Sequence, residues 1–323
     1  MDSTPASGAP AIDADPAYPP LPENIRSVQP GGGVCYSIEL AWGHVRRWFL
    51  KTFRGEYVAK MAELRRGSLA GAPHEVLDPR DLKFCSNQCT AHWAPEDDPF
   101  RWRGNLPFAR WGLAELQLMG WPLFVAVLMI SSLHSPWKWT AVVPLAILAE
   151  ILYFFRDPWR HVPTDADAVI SPADGVIAEV TELDHYDFLD GPAVRIGIFL
   201  SIFNVHINRA PRAASVVAMD YKPGEFLNAM NPESAIRNEF MWIGFADADR
   251  PGLKYAVRQI SGLFARRIVC ALRPGQAVQR GEDFGMIKLG SRTELILPRD
   301  AVTVNVVVGQ KVLAGATILA RLK

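Results

Sequence analysis

Residues 284–298 read F-G-M-I-K-L-G-S-R-T-E-L-I-L-P and place two strand-like runs, 286–289 and 294–297, on either side of Gly290 and Ser291. Glycine adopts backbone conformations that a Cβ forbids, and it leaves its own carbonyl sterically open to the hydroxyl that follows. The pair therefore has two readings. It is an ordinary bulge or tight turn between two strands, or it is a place where the Ser291 hydroxyl attacks the Gly290 carbonyl and turns an amide into an ester. The stretch alone favours the turn. The second reading needs a base, an acid and a substrate from elsewhere in the chain.

Outward from this stretch the sequence repeats itself. G-Q-A-V-Q-R-G at 275–281 returns as G-Q-K-V-L-A-G at 309–315, each followed by an apolar run, so one hairpin is used twice. Further short β-type runs at 168–170, 176–180, 194–200, 215–219, 254–260 and 267–272 are separated by Gly, Pro and Asp. Many short strands at this spacing predict a mainly β domain, barrel- or sandwich-like with hammerhead-type hairpins, over 158–323. The turns at 171–177 and 306–319 resemble those of biotinyl and lipoyl barrels, but no lysine there is flanked as a carrier lysine would be.

Upstream the apolar residues are concentrated. Residues 116–133 carry no charge, H-S-P-W-K-W makes a turn, and 140–155 is apolar apart from Glu150. Each half is slightly shorter than the roughly 20 residues of an ideal span. Trp111, Trp121, Trp137, Trp139 and Tyr153 sit near the ends, and Arg101, Arg103, Arg110, Arg156 and Arg160 flank the pair while the turn has only Lys138. An aromatic belt with basic flanks predicts a membrane hairpin over 111–157 with both flanks cytoplasmic. A buried hairpin in a soluble core is the competing reading, and Glu150 speaks for it.

Ahead of the hairpin, residues 34–110 form an extension. From 35 to 66 apolar residues recur at helical spacing with seven Arg and Lys between them, which suits an anionic membrane surface as well as a helix packed on the protein's own core. Residues 1–33 are rich in Pro, Gly, Ala and acid and are expected to be disordered. The 34 basic and 34 acidic residues balance, so no net field argues for nucleic acid as a partner. Cys35, Cys85, Cys89 and Cys270 show no disulfide spacing and suit a reducing compartment. Cys85, Cys89 and His92 supply three zinc-type ligands where a structural site needs four, and His74 or Cys35 would have to complete the set; no metal is expected.

A serine at neutral pH needs a positioned base, usually histidine held by a carboxylate. His161, His185 and His206 are the histidines of the β region, and His206 follows an apolar run in S-I-F-N-V-H-I-N-R-A-P. Asp174 sits in S-P-A-D-G, where Asp-Gly is a common turn. Spacing does not bring Asp174, His206 and Ser291 together.

The order of motifs does more. F-F-R-D-P at 154–158, S-P-A-D-G at 171–175, F-N-V-H-I-N-R-A-P at 203–211, Y-K-P-G-E-F-L-N-A at 221–229 and the late L-G-S at 289–291 resemble the phosphatidylserine decarboxylase family, nearest its short prokaryotic form, over about 149–323. The resemblance implies a proenzyme (zymogen) that cuts itself between Gly290 and Ser291 into a β chain, 1–290, and an α chain, 291–323. Asp174 would orient His206, His206 would deprotonate Ser291, and Ser291 would end as a pyruvoyl cofactor. That ketone would condense with the serine amine of phosphatidylserine and accept electrons as carbon dioxide leaves, giving phosphatidylethanolamine in phospholipid biosynthesis. The implied partners are the lipid substrate and the membrane, with a second copy of the chain allowed; the implied place is the cytoplasmic face of the cell membrane. Two positions depart from the longer members: Phe203 stands where they carry a second histidine, leaving His206 as default proton donor to the product, and Phe240 follows Asn238-Glu239 where an arginine is expected. The competing reading from another class is an uncleaved, membrane-tethered β-barrel that binds lipid or protein.

Overall fold

The computed structural model describes residues 18–134, 136–228, 233–262, 267–288 and 291–323. Gly290, half of the expected cleavage site, and residues 1–17 lie outside the described residues. Four helices precede the β region: α1 (Val34–Phe53), α2 (Gly55–Leu64), α3 (Leu113–Ser131) and α4 (Val142–Phe154). Fourteen strands are described after them: β1 (Ala168–Ile170), β2 (Gly175–Tyr186), β3 (Gly191–Leu200), β4 (Ile207–Arg209), β5 (Ala214–Lys222), β6 (Phe240–Asp247), β7 (Lys254–Ile260), β8 (Arg267–Cys270), β9 (Ala277–Val278), β10 (Asp283–Lys288), β11 (Ser291–Pro298), β12 (Val302–Val304), β13 (Lys311–Val312) and β14 (Ile318–Leu322).

The mainly β expectation is met. An eight-stranded antiparallel sheet in the order β13-β2-β3-β11-β7-β6-β5-β9 is joined by two three-stranded sheets, β1-β14-β12 and β4-β10-β8. The main core lies on one face of the large sheet, where Ile196, Ile198, Ile243, Phe245, Tyr255, Val257, Leu295 and Leu297 are buried together. The repeated heptapeptides end the sheet on both sides. Gly275 and Gly309 share positive φ values of 84° and 88°, and Gly281 and Gly315 share 80° and 75°. Only glycine takes these values without strain, so the repeat read in the sequence is a repeat of backbone shape.

The two apolar segments form helices of 22 and 19 residues, Arg110–Ser131 and Pro136–Phe154, each long and apolar enough to cross a membrane. Leu118, Phe124, Val125, Leu128 and Met129 on one, and Val143, Leu145, Ile147 and Leu152 on the other, are exposed. A hairpin buried in a soluble core would hide these side chains; an exposed apolar surface of this extent marks an interaction with lipid or protein.

The extension departs from expectation in two respects. Residues 18–33 are not loose: Ile25 and Val28 are buried, and Val28 exchanges backbone hydrogen bonds with Phe84 and Cys270. The Pro and Gly content that suggested disorder is compatible with an irregular strap held by tertiary contacts. The 35–66 helix breaks at Arg54 into α1 and α2. On α1, Gly43, Arg47 and Leu50 face the protein, whereas Val34, Ile38, Trp42, Val45, Phe49 and Phe53 are exposed. Tyr36 and Leu40 pack on the core, so α1 carries a second apolar stripe that points away from it.

Candidate active site

The end of β3 organises the site. One edge of β3 pairs with β2, placing Val176 opposite Phe199, and the other pairs with β11, placing Ser291 opposite Leu200. Asp174 immediately precedes β2 and Ser291 opens β11, so the two flank the last residues of β3, roughly 10 Å apart in backbone terms at about 4.8 Å per strand. Beyond Leu200 the chain loops to His206 at the head of β4. The His206 carbonyl accepts from the Ile287 N–H at 3.1 Å, and the Arg209 N–H donates to the Pro172 carbonyl at 3.0 Å. The histidine strand is therefore tied on one side to the strand that runs toward Ser291 and on the other to the segment that delivers Asp174. Gly175 makes the approach feasible: its φ is 155°, and a Cβ there would stand 2.2 Å from the Phe199 carbonyl oxygen.

Along β11 side chains alternate, and Ser291 and Thr293 share the face of Leu295 and Leu297, which lie in the main core. Thr293 Oγ1 accepts from Asn208 Nδ2 at 3.1 Å. Asn208 is two residues from His206 and Thr293 two from Ser291, so an existing side-chain bond joins the two strands one same-face step from each member of the pair. Ser291 is fully buried, and its Oγ has no hydrogen-bond partner among the described residues. Leaving a buried hydroxyl unpaired costs about 1–3 kcal/mol, and such groups in native folds call for an explanation.

His206 is also fully buried, against Phe154 of α4 with ring centroids 4.4 Å apart. Its Nδ1 lies 2.9 Å from the Asn204 carbonyl oxygen. A carbonyl only accepts, so Nδ1 carries the proton and Nε2 the basic lone pair. Burial lowers its pKa to about 4, with Arg156 acting in the same direction and the Asn204 bond opposing. The imidazole is thus neutral, the form a base requires.

Asp174 is placed beside this group but engaged differently from expectation. Its carboxylate accepts from Arg160 Nη2 at 2.7 and 3.0 Å and from the Ala314 N–H at 2.7 Å. Orientation of His206 by Asp174 through a direct bond is not what these contacts make. Arg160, just beyond the hairpin, reaches into the corner and takes the carboxylate, while Asn204 takes Nδ1. Burial pushes the Asp174 carboxyl up against the opposing pull of Arg160 and the Ala314 N–H.

Several further residues support the site, among them Gln259 and Gln29, which no motif in the sequence marks. Asn208 Oδ1 accepts from Gln259 Nε2 at 2.9 Å, and Asn208 Nδ2 also donates to the Pro172 carbonyl, so a fully buried polar chain links β4, β7 and β11 beneath Ser291. Such chains specify register when satisfied. Lys288, at the end of β10, pairs with Glu115 of α3 and donates to Gln29 of the strap at 3.0 Å. Arg156 donates to the Phe203 carbonyl, and Asp157 pairs with Arg209 at 3.0 Å. The hairpin is thereby fastened to β10, which runs toward Ser291, and to β4, which follows His206. Asn238 clamps Leu227 and Ser261 through three hydrogen bonds, and buried Glu239 accepts from Tyr221. Ser261 follows Ile260, which lies opposite Arg292 of β11 and Phe240 of β6, so both residues brace the strand ends next to Ser291. Cys85 and Cys89 point at the carbonyls of Asp81 and Cys85, His92 Nδ1 sits by the Thr90 carbonyl, and no group of three metal-type ligands meets among the described residues.

Comparison with known proteins fits this geometry. Residues 147–320 match the family described as phosphatidylserine decarboxylase. A phosphatidylserine decarboxylase proenzyme of Rhodopirellula baltica is 47% identical over 243 residues, covering 74% of this chain and 98% of that one. The chain belongs to the phosphatidylserine decarboxylase family. Proenzymes of the same name from Carboxydothermus hydrogenoformans and Desulfotalea psychrophila are 43% and 44% identical, covering 57% and 62% of this chain and 85% and 92% of their own. The matched region spans Asp174, His206 and Ser291 and begins within α4, so the whole extension and most of the hairpin lie outside it.

Proposed function

We propose that this chain is a self-processing decarboxylase that converts phosphatidylserine to phosphatidylethanolamine and carbon dioxide, with a pyruvoyl group made from Ser291. The observation that carries the reading is the Ser291 hydroxyl: buried, without a hydrogen-bond partner among the described residues, and at the head of a strand beside a neutral, buried His206. A buried hydroxyl with no competing bond suits a group that is to be consumed by chemistry.

In this reading His206 Nε2 takes the Ser291 proton while Oγ attacks the Gly290 carbonyl carbon; the C–N bond breaks, an ester forms, and the amine of residue 291 takes up the proton. Elimination from the ester frees the Gly290 carboxylate and leaves dehydroalanine at position 291, which water converts to a pyruvoyl group with loss of ammonia. Once present, the pyruvoyl carbonyl supplies an electron sink for loss of carbon dioxide from an α-amino carboxylate. His206 then remains in place to hold or return a proton. Asp174 acts as a positioning residue, fixing the corner at Ala314 through its bonds to that N–H and to Arg160.

The catalytic unit is residues 158–323, the hairpin 111–157 is its membrane anchor, and basic flanks favour the cytoplasmic face and an anionic substrate. No observation favours the uncleaved binding protein. The test is decarboxylation of phosphatidylserine in mixed micelles by the purified chain: release of carbon dioxide with formation of phosphatidylethanolamine is expected, and a processed protein without this activity would overturn the substrate assignment.

A further inference from the structure

Between α1 of the extension and α3 of the hairpin lies an open crevice of approximately 710 Å³. Six cationic and two acidic side chains line it. Arg46 and Arg47 share Asp81, Arg80 pairs with Asp78, and Lys83 pairs with Glu39. Arg103 and Arg110 have no carboxylate partner among the described residues, although Arg103 is half-buried. Burial lowers the pKa of Arg103, and the like charges of Arg80, Arg110 and Arg46 act in the same direction. Two cations without a carboxylate partner, one of them half-buried among like charges, favour an anion.

Most of the remaining wall is apolar, and Trp42 on α1 and Leu118 and Trp121 on α3 are exposed there. Trp42 belongs to the outward stripe of α1, and Leu118 and Trp121 to a helix long and apolar enough to cross a membrane. Arg110 stands at the start of that helix, and Leu118 and Trp121 lie roughly 12 to 17 Å further along it at about 1.5 Å per residue. Positive charge at one end and aromatic and aliphatic surface running into the apolar span from there match the head and chains of one lipid.

We propose that this crevice binds one anionic glycerophospholipid from the bilayer, its phosphodiester held by Arg103 and Arg110 and its acyl chains laid along Trp42, Leu118 and Trp121. The site is separate from Ser291 and does not rest on the decarboxylase reading. With a lipid seated, α1 lies in the membrane interface with its apolar stripe toward the chains and its basic residues at the headgroup level. The extension thereby becomes a lipid-docked lid beside the hairpin.

The test uses the full chain in dodecyl maltoside micelles, titrated with phosphatidylglycerol carrying brominated acyl chains, which quench nearby tryptophan fluorescence. Saturable quenching is expected, weakened at least tenfold in midpoint in Arg103→Gln/Arg110→Gln, with brominated phosphatidylcholine at least tenfold weaker on the unaltered chain. Trp42→Phe/Trp121→Phe should lose the larger part of the saturable quenching. An unchanged thermal midpoint shows that a variant is folded; if the arginine pair unfolds, Arg110→Gln alone is titrated and a threefold weakening is expected. Equal quenching by both lipids, or no change in the folded arginine variants, would overturn the proposal. Competition by millimolar inorganic phosphate would also overturn it, showing a free-anion site instead of a lipid site.

Discussion

Two corners of the β region are built alike and used differently. In one, residues 171–177 meet the 309–315 heptapeptide: the Ile177 N–H donates to the Gln310 carbonyl, Gly309 to Ile177, and Gly315 to Ser171. In the other, residues 210–216 meet 275–281: Val216 donates to Gln276, Gly275 to Val216, and Gly281 to Ala210. The strand registers also correspond, Val312 opposite Gly175 in one and Val278 opposite Ala214 in the other. Position for position, Asp174 corresponds to Ala213 and Gly175 to Ala214. The carboxylate, the Arg160 that binds it and the positive-φ glycine occur in one corner alone. A duplicated backbone frame supplies the geometry; in the proposed mechanism the chemistry comes from which copy faces the end of β3 and the loop to His206.

That comparison can be broken in stages. The largest effect is expected at His206, which belongs to neither frame but is presented between them. His206→Ala should slow self-cleavage about 10²- to 10⁴-fold, the usual contribution of a positioned base, measured as the fraction of full-length chain against time after synthesis. Next is Gly175→Ala, which forces a Cβ against the Phe199 carbonyl at a φ that alanine avoids. A loss of about 3 kcal/mol in denaturant unfolding is expected, the scale of a severe backbone conflict. Asp174→Asn removes the charge but not the shape: Arg160 is left partly uncompensated, costing about 1–3 kcal/mol, with self-cleavage slowed roughly tenfold. Ala213→Asp places a carboxylate in the second corner and should leave self-cleavage unchanged. An accelerated rate there would show that the corners are not distinguished by placement.

His206 also fixes a pH dependence. Its pKa is about 4 in the fold against an ordinary 6.5, so below pH 6.5 the unfolded chain takes up the proton first. Stability falls as pH drops from about 6.5 to 4, by on the order of 3 kcal/mol for this group, and this group adds no further change above that window. Self-cleavage should be flat from about pH 6 to 8 and decline only as pH approaches 4. A midpoint near 6.5 would mean that the imidazole is solvated during the reaction.

How much of this was legible in the sequence depends on the range over which each feature is set. The heptapeptide repeat and the paired apolar helices are local patterns, and both stand in the fold where the pattern puts them. β6 is not among the runs that stand out by alternation, because F-M-W-I-G-F-A-D is apolar on both faces. The strap at 18–33 looks like a disordered tail until Val28 finds β8 and Gln29 finds Lys288, contacts about 240 and 260 residues distant in sequence. Helical period established that α1 is amphipathic but not that it would leave Val34, Ile38, Trp42, Val45, Phe49 and Phe53 exposed. Asp174, His206 and Ser291 were recognisable as residues, whereas Arg160 and Asn204 as their immediate partners were not. Those partners are fixed by the pairing of β2, β3 and β11, which no spacing encodes.

The central claim is that Ser291 is consumed in making the catalytic group. Intact-mass analysis of the purified chain beside its Ser291→Ala variant tests it most directly. Two chains corresponding to 1–290 and 291–323 are expected, the smaller one blocked at its N-terminus and reactive toward carbonyl reagents, with the variant remaining a single species near 35.8 kDa. A single full-length species that decarboxylates phosphatidylserine, or cleavage that persists in Ser291→Ala, would contradict the account.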